Sequence, residues 1–351
     1  MEQCSSEQTA RYKASLAQRL TAKGNGERDA TSFIDLTGGF GVDFYFMAQG
    51  FQHSTYVELN TELCAISSEN FQLLGLCCSV VCGSAIEYLA NMERATLVYL
   101  DPARRNEHGG RTYDLKDCTP NVVEMLPQLM QKAEYVMLKL SPMLDWRKAV
   151  SDLQCVSEVH IVSAGGECKE LLLVLNARGS SSLQLICVND DQVFQCPTES
   201  PTGKFLVTPK SMARYPVADE VSAPEYLYEP NASIMKAGCF HELEACFPVR
   251  QVAEDSHLFL SDQIIDDFPG RKFQILSVST MNKREIKQKF SEKFSKSLVP
   301  LKSANITVRH FPMTVDQLRR KLKLRDGGDV YIFATTAADG SHLLYICRKI
   351  G

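Results

Sequence analysis

The sequence has no apolar run approaching the ~18 residues that a membrane span needs, so no membrane partner is expected. It has no C-x-x-C pair among its thirteen cysteines, which removes zinc ribbons and thioredoxin-type sites and leaves no metal to expect. Several cysteines (Cys82, Cys155, Cys187, Cys347) sit in apolar, strand-like runs, where cysteine acts as a small buried hydrophobe. The opening Met-Glu-Gln-Cys-Ser-Ser lacks the basic-then-apolar order of a secretory signal. A cytoplasmic location with reduced thiols is therefore the expectation. Also missing is any G-x-x-x-x-G-K-[ST] segment, which excludes the phosphate-loop nucleotide hydrolases.

What is present is the balance of a globular protein, 44% hydrophobic and 23% charged, and 351 residues call for two or three domains. The charge is uneven. Lys283 to Arg325 holds thirteen Lys/Arg against three Asp/Glu, a local +10, which leaves −14 for the rest of a chain whose net is −4. Such a segment is either a solvated basic face or a footprint for a polyanion.

From Ser32 to about Ala177, short β-like runs alternate with helical ones. The strands are Phe33-Ile34, His53–Glu58, Cys77–Cys82, Ala95–Leu100 and Tyr135–Leu140. Helices are expected at Val42–Gln49, Thr61–Leu74, Ala85–Asn91 and Asn121–Lys132. This is the signature of βαβ units and a parallel sheet. Val156–Ser163 and Leu171–Asn176, joined by Gly165-Gly166, then fit an antiparallel hairpin. Leu183–Val188 offers a further strand, and the polar stretch 189–203 reads as a boundary. Residues 205–268 read as a small mixed α/β domain. The last part reads β-α-β-α-β-β over Phe273–Val278, Lys283–Lys293, Ile306–Phe311, Val315–Leu324, Val330–Ala334 and Leu343–Arg348.

Chemistry concentrates at the strand ends. Asp35-Leu-Thr-Gly-Gly-Phe-Gly-Val-Asp43 joins the first strand to the first helix, and Gly39 and Gly41 let backbone approach a ligand. The third glycine of the dinucleotide fingerprint G-x-G-x-x-G is missing. An acid, Asp35, precedes the glycines by a few positions, and a carboxylate near a glycine turn suits an ammonium and would repel a pyrophosphate. Glu58 ends the second strand, about 20 residues on, where a carboxylate accepts both hydroxyls of a ribose; an ordinary surface acid is the other reading. Gly83-Ser84-Ala85 ends the third strand, where an adenine ring would be bounded.

The fourth strand ends in Leu100-Asp101-Pro102-Ala103-Arg104-Arg105. This resembles the [DN]-P-P-[YFW] motif of amino-group methyltransferases, with Ala103 and Arg104 in place of the second proline and the aromatic. In that motif the acid and a backbone carbonyl hold the target amine in line with the methyl donor. Arg104 could stack on a base, and Arg104 and Arg105 could instead hold a phosphate. The fifth strand ends in Lys139-Leu-Ser-Pro142, so Lys139 and Ser141 would face the same cleft. The cysteine nucleophile that RNA uracil-C5 methyltransferases place there is absent, which disfavours covalent C5 chemistry.

Together with Glu2-Gln-Cys-Ser-Ser6, Tyr12-Lys-Ala14, Glu229-Pro-Asn-Ala-Ser-Ile-Met-Lys-Ala-Gly238 and Leu322–Thr335, these segments resemble the bacterial THUMP-like-domain class I methyltransferases. The resemblance implies a Rossmann-like class I methyltransferase domain over 1–200, a mostly parallel seven-stranded sheet with an antiparallel hairpin. A ferredoxin-like domain over 201–269 and an α+β THUMP-like domain over 270–351 would follow. Many members carry a further helical region upstream, which this chain is expected to lack, and Gln3–Ser6 would sit over the cofactor cleft. The implied cofactor is S-adenosyl-L-methionine, held by Asp35, Thr37, Gly39, Gly41, Asp43, Glu58 and Ser84. Asp101, Pro102 and Arg104 would carry catalysis, and Arg105, Lys139 and Ser141 would hold the substrate. THUMP-type domains elsewhere bind structured RNA, so a base nitrogen of tRNA or rRNA, reached through the basic C-terminal segment, is the expected target. A methyltransferase for protein or small molecules, and a catalytically silent RNA-binding protein, remain open alternatives.

Overall fold

The computed structural model describes residues 4–22, 31–104, 115–179, 182–198, 224–294 and 301–350. The chain divides into two compact units, 1–206 and 207–351.

The first unit opens with helix α1 (Glu7–Thr21), which sequence periodicity did not reveal. Its start is set by Ser6, whose hydroxyl accepts the Thr9 N–H at 3.3 Å, and Glu7 and Arg11 form an i,i+4 pair along it. The alternation follows: β1 (Ser32–Asp35), α2 (Val42–Ala48), β2 (His53–Glu58), α3 (Thr61–Leu73), β3 (Ser79–Cys82), α4 (Ala85–Asn91) and β4 (Ala95–Leu100). Asn60 caps α3 by accepting from the N–H groups of Glu62 and Leu63. A two-strand clip, β5 (Ala103–Arg104) with β6 (Cys118–Thr119), leads to α5 (Val122–Lys132), β7 (Ala133–Leu140) and α6 (Trp146–Leu153). The unit ends in β8 (Val156–Ala164), β9 (Glu167–Asn176), β10 (Leu183–Asn189) and β11 (Gln192–Thr198).

These strands form one sheet in the order β11-β10-β8-β9-β7-β4-β1-β2-β3. β1 pairs in parallel with both β2 and β4, so the order reverses between β1 and β4, and ligands of open α/β sheets sit at such a switch point. The expected hairpin is present: β9 runs antiparallel to β7 and β8, turning through Gly165 and Gly166 at φ 60° and 77°.

The sheet has nine strands rather than the expected seven. Part of the stretch read as a boundary, 189–203, is β11, paired antiparallel with β10. Its polar composition misled because an edge strand buries only one face: Phe194 and Cys196 are buried while Val193 and Gln195 are exposed. Phe33, Phe44, Tyr56, Phe71 and Tyr99 pack under α1, α2 and α3 as an aromatic core on one face of the sheet.

The second unit comprises β12 (Tyr226–Pro230), α7 (Ala232–Ala237), α8 (Phe240–Cys246), β13 (Arg250–Gln251), β14 (Phe259–Ser261) and β15 (Gly270–Thr280). It continues through α9 (Lys283–Phe294), β16 (Asn305–Arg309), α10 (Val315–Leu322), β17 (Val330–Thr336) and β18 (His342–Ile350). From β15 onward the order is the expected β-α-β-α-β-β. One sheet, β13-β14-β12-β15-β18-β17-β16, runs through the whole unit. α10 begins with a reciprocal box in which Thr314 and Gln317 satisfy each other's backbone N–H groups. Leu318 is buried beside Ile306, Ile332, Leu344 and Ile346.

Candidate active site

The C-terminal edges of β1, β2, β3, β4 and β7 carry the residues marked by the sequence. Asp35 closes β1 and is buried; one carboxylate oxygen accepts the Thr37 N–H at 2.9 Å. The Thr37 hydroxyl accepts the Asp101 N–H at 2.6 Å, tying the loop after β1 to the loop after β4. Gly39 and Gly41 take left-handed φ angles of 55° and 75°. A Cβ on Gly41 would also lie 2.6 Å from the Phe71 ring, and one on Gly38 would overlap Tyr56 at 2.1 Å. Only glycine fits this turn.

Glu58 organises the next edge. One oxygen accepts the Gly39 N–H and the other the Asn60 N–H, both at 2.8 Å. The glycine loop and the start of α3 are thus fixed on one half-buried carboxylate. The Gly83 N–H donates to the Glu58 carbonyl at 2.9 Å, bringing the end of β3 alongside, and Ser84 stands at the start of α4 with its hydroxyl unused as a cap.

Asp101 follows β4, and its carboxylate pairs with the Lys139 ammonium from β7. Pro102, the next residue, is buried. Ser141 accepts the Met143 N–H at 3.3 Å, so it shapes the turn after β7. The backbone of Arg104 lies in β5, and Arg105 lies outside the described residues, as do Glu2 and Gln3. Asp43 points its carboxylate at Ser5 and Tyr99, each 2.8 Å from Oδ2, with the Lys13 ammonium 3.2 Å from Oδ1.

Sequence reasoning quoted Lys13 within Tyr12-Lys-Ala14 but gave it no role, and it passed over Glu170. Lys13, on α1, is fully buried and lies 2.7 Å from both oxygens of Glu170 on β9. Nothing local announces their pairing, because they meet only across 157 positions. Leu59, Ile86, Phe40 and Met143 were passed over as well. These four exposed apolar side chains follow β2, β3, β1 and β7 and give the acidic edge an apolar rim.

Around Tyr99 the described residues gather four carboxyl groups (Asp35, Asp43, Asp101, Glu170) and two ammonium groups (Lys13, Lys139). Burial pushes Asp35 well above the usual carboxylate range. It also raises Asp101 and Glu170, against the pull of Lys139 and Lys13 respectively. Burial alone would lower Lys139, but the surrounding acids raise it. A cleft with more carboxyl than ammonium groups fits a ligand that brings a sulfonium and an ammonium.

Residues 226–269 match the family model of a ferredoxin-like domain, and residues 270–349 match that of a THUMP domain-like region. A crystal structure of a candidate methyltransferase from Porphyromonas gingivalis W83 superposes on 100% of this chain and 82% of its own, with a TM-score of 0.81 at 29% identity. The chain thus shares the fold of that methyltransferase and carries ferredoxin-like and THUMP-like segments over 226–349. In that fold the strand order β3-β2-β1-β4-β7-β9-β8 is the methyltransferase sheet, and β10 and β11 extend it at one edge. Two proteins from Mycobacterium tuberculosis strains, named uncharacterized S-adenosylmethionine-dependent methyltransferases, are 23% identical over 273 residues, covering 75% of this chain and 67% of theirs. No helix among the described residues is long and apolar enough to cross a membrane. Among the same residues no group of three or more His, Cys, Asp or Glu is arranged to hold a metal ion.

Proposed function

We propose that the protein is an S-adenosylmethionine-dependent methyltransferase whose acceptor is a ring or exocyclic base nitrogen in tRNA or rRNA. The observation that carries this reading is Asp101, fixed at the switch point between the glycine loop and β7 by Thr37 on one side and Lys139 on the other.

S-Adenosylmethionine supplies an electrophilic methyl group on a sulfonium. Glu58 has spare lone pairs for ribose hydroxyls while its backbone contacts keep it oriented. Gly39 and Gly41 admit close approach of the ligand. Asp35, Thr37 and Asp43 shape and charge that loop, Ser84 borders the base, and Leu59 and Ile86 are apolar surface for its faces. Asp101 accepts hydrogen bonds from the acceptor nitrogen, and its raised pKa suits it to receive the proton that nitrogen sheds. Lys139 holds the carboxylate in place, Pro102 stiffens the turn, and Ser141, Arg104 and Arg105 belong to the acceptor side. In this reading 1–200 performs the transfer, while 201–269 and 270–351 hold the RNA.

The test is transfer of labelled methyl from S-adenosylmethionine to unmodified tRNA and rRNA, followed by nucleoside digestion and mass spectrometry. A labelled N-methyl nucleoside that Asp101→Ala abolishes is the expected result. Label in protein or a small molecule would overturn the RNA assignment. A silent RNA-binding role gains from one observation, that the Asp101 carboxylate is already engaged by Lys139. Tight cofactor binding without turnover on any acceptor would favour that role.

A further inference from the structure

The Glu229-to-Gly238 segment takes no part in the transfer site, yet Glu229 is among the most buried acids of the second unit. Two guanidinium groups converge on it. Arg271, its register partner on β15, places Nε 2.7 Å from Oε2, with Nη2 on the same oxygen. Arg309, at the end of β16, places Nη2 2.9 Å from Oε1. Among the described residues Glu229 is the one carboxylate in ion-pair contact with either guanidinium, so one of the two charges is left over. Both arginines remain accessible, with side chains 48% and 34% exposed. The Arg309 Nε is itself buried and has no hydrogen-bond partner among the described residues.

The surrounding backbone is strained at two points. Among the described residues, five non-glycine residues have left-handed φ angles. Gln154 and Lys323 end helices α6 and α10, and Asp190 turns the β10–β11 hairpin. His257 and His310 do neither, and both lie at Arg309. His310 follows it in sequence and stands 3.9 Å from the exposed Asp255. Burial, helped by the Arg309 charge, holds His257 below the usual histidine value and so favours its neutral ring. That ring stacks on Phe240 with centroids 4.3 Å apart and planes 27° apart. Paired arginine forks match the oxygens of a phosphodiester, and a neutral aromatic stack offers a face to an unstacked base.

We infer that Arg271 and Arg309, set on Glu229, form a phosphate grip for an RNA strand, with the Phe240–His257 stack beside it as a platform for a base. This deepens the proposed function and rests on its RNA substrate. It also names residues that net charge alone would not select: Arg271 lies outside the basic 283–325 run, and Arg309 is one cation among thirteen.

The test is fluorescence anisotropy of the full chain with a labelled bulk tRNA preparation across a salt series, for Arg309→Ala, Arg271→Ala, Arg309→Lys and His257→Ala. Each alanine variant at an arginine is expected to bind about tenfold more weakly near 0.1 M salt, with a salt slope reduced by about 1. His257→Ala should weaken binding without changing the slope. Arg309→Lys keeps the ion pair to Glu229 but loses the fork. If it melts like the parent and still binds weakly, the loss is one of recognition and not of folding. Parent-like affinity and slope in both alanine variants would overturn the grip and leave the RNA methyltransferase reading intact. A parent chain that binds S-adenosylmethionine but no RNA would overturn the grip and the RNA substrate together.

Discussion

The Lys13 ammonium is equidistant, at 2.7 Å, from the two carboxylate oxygens of Glu170, and neither side chain reaches solvent to more than 3%. Through this pair and Asp43, α1 is fastened to the middle of the sheet directly behind the glycine loop. The cleft is thus held from both sides, by Glu58 in front and by Lys13 behind.

Removing one partner of that pair leaves an uncompensated buried charge. Lys13→Met is expected to destabilise the first unit by about 3–5 kcal/mol. Glu170→Gln in the same chain should recover part of the loss. Trp146, the single tryptophan, is buried in this unit, so its fluorescence in a urea titration reads the effect.

Glu58→Ala is expected to weaken S-adenosylmethionine binding about 10- to 100-fold, since hydrogen bonds to a charged group contribute about 1.5–3 kcal/mol. The loss has two sources: the ribose acceptor disappears, and the Gly39 and Asn60 N–H groups lose the anchor that shapes the loop. Calorimetric titration checks it, with unchanged affinity as the contrary result.

Asp35 gives a pH signature. Burial raises its pKa in the folded state, so the folded chain holds this proton more tightly than the unfolded chain does. Its contribution is favourable below the ordinary carboxylate value and is lost as pH rises toward the folded-state value. Asp35→Asn should therefore gain stability relative to the parent as pH rises from 4 to 8. The amide oxygen can still accept from Thr37, so the turn after β1 is kept. Melting curves at both pH values test the sign.

Lys139→Met removes the partner of Asp101 without touching the glycine loop. Methyl transfer is expected to fall about 10²- to 10³-fold, the range seen when one preorganised charge is removed. Cofactor affinity should stay within about threefold. Lys139→Arg should restore part of the rate.

Much of this was legible because the signals were local. Asp35, Gly39, Glu58 and Asp101 each end a strand with strong apolar patterning, so their edge positions could be counted along the chain. α1 escaped for a different reason. α1 buries Lys13 and Thr9 next to Ala10 and Ala17, so burial on its core face does not follow hydrophobicity. Asp43 was assigned to the cofactor side through the resemblance, and its side-chain partners Ser5, Tyr99 and Lys13 lie 30 or more positions away. Spacing cannot reveal a partner that only the tertiary fold delivers. The same holds for Arg309 and Glu229, separated by 80 positions.

The continuous sheet of the second unit also decides where the chain can be cut. Glu229 faces Arg271 across the β12–β15 ladder, so the ferredoxin-like segment hands over to the THUMP-like one inside a hydrogen-bonded pair of strands. A fragment beginning at Gly270 would strip the β12 ladder from residues 270–274 of β15 and leave the N–H and C=O groups of that stretch bare on one side. Such an edge invites pairing with a second chain and aggregation. Domain names drawn along the sequence are thus poor guides to proteolysis or fusion here; a usable junction has to lie ahead of β12.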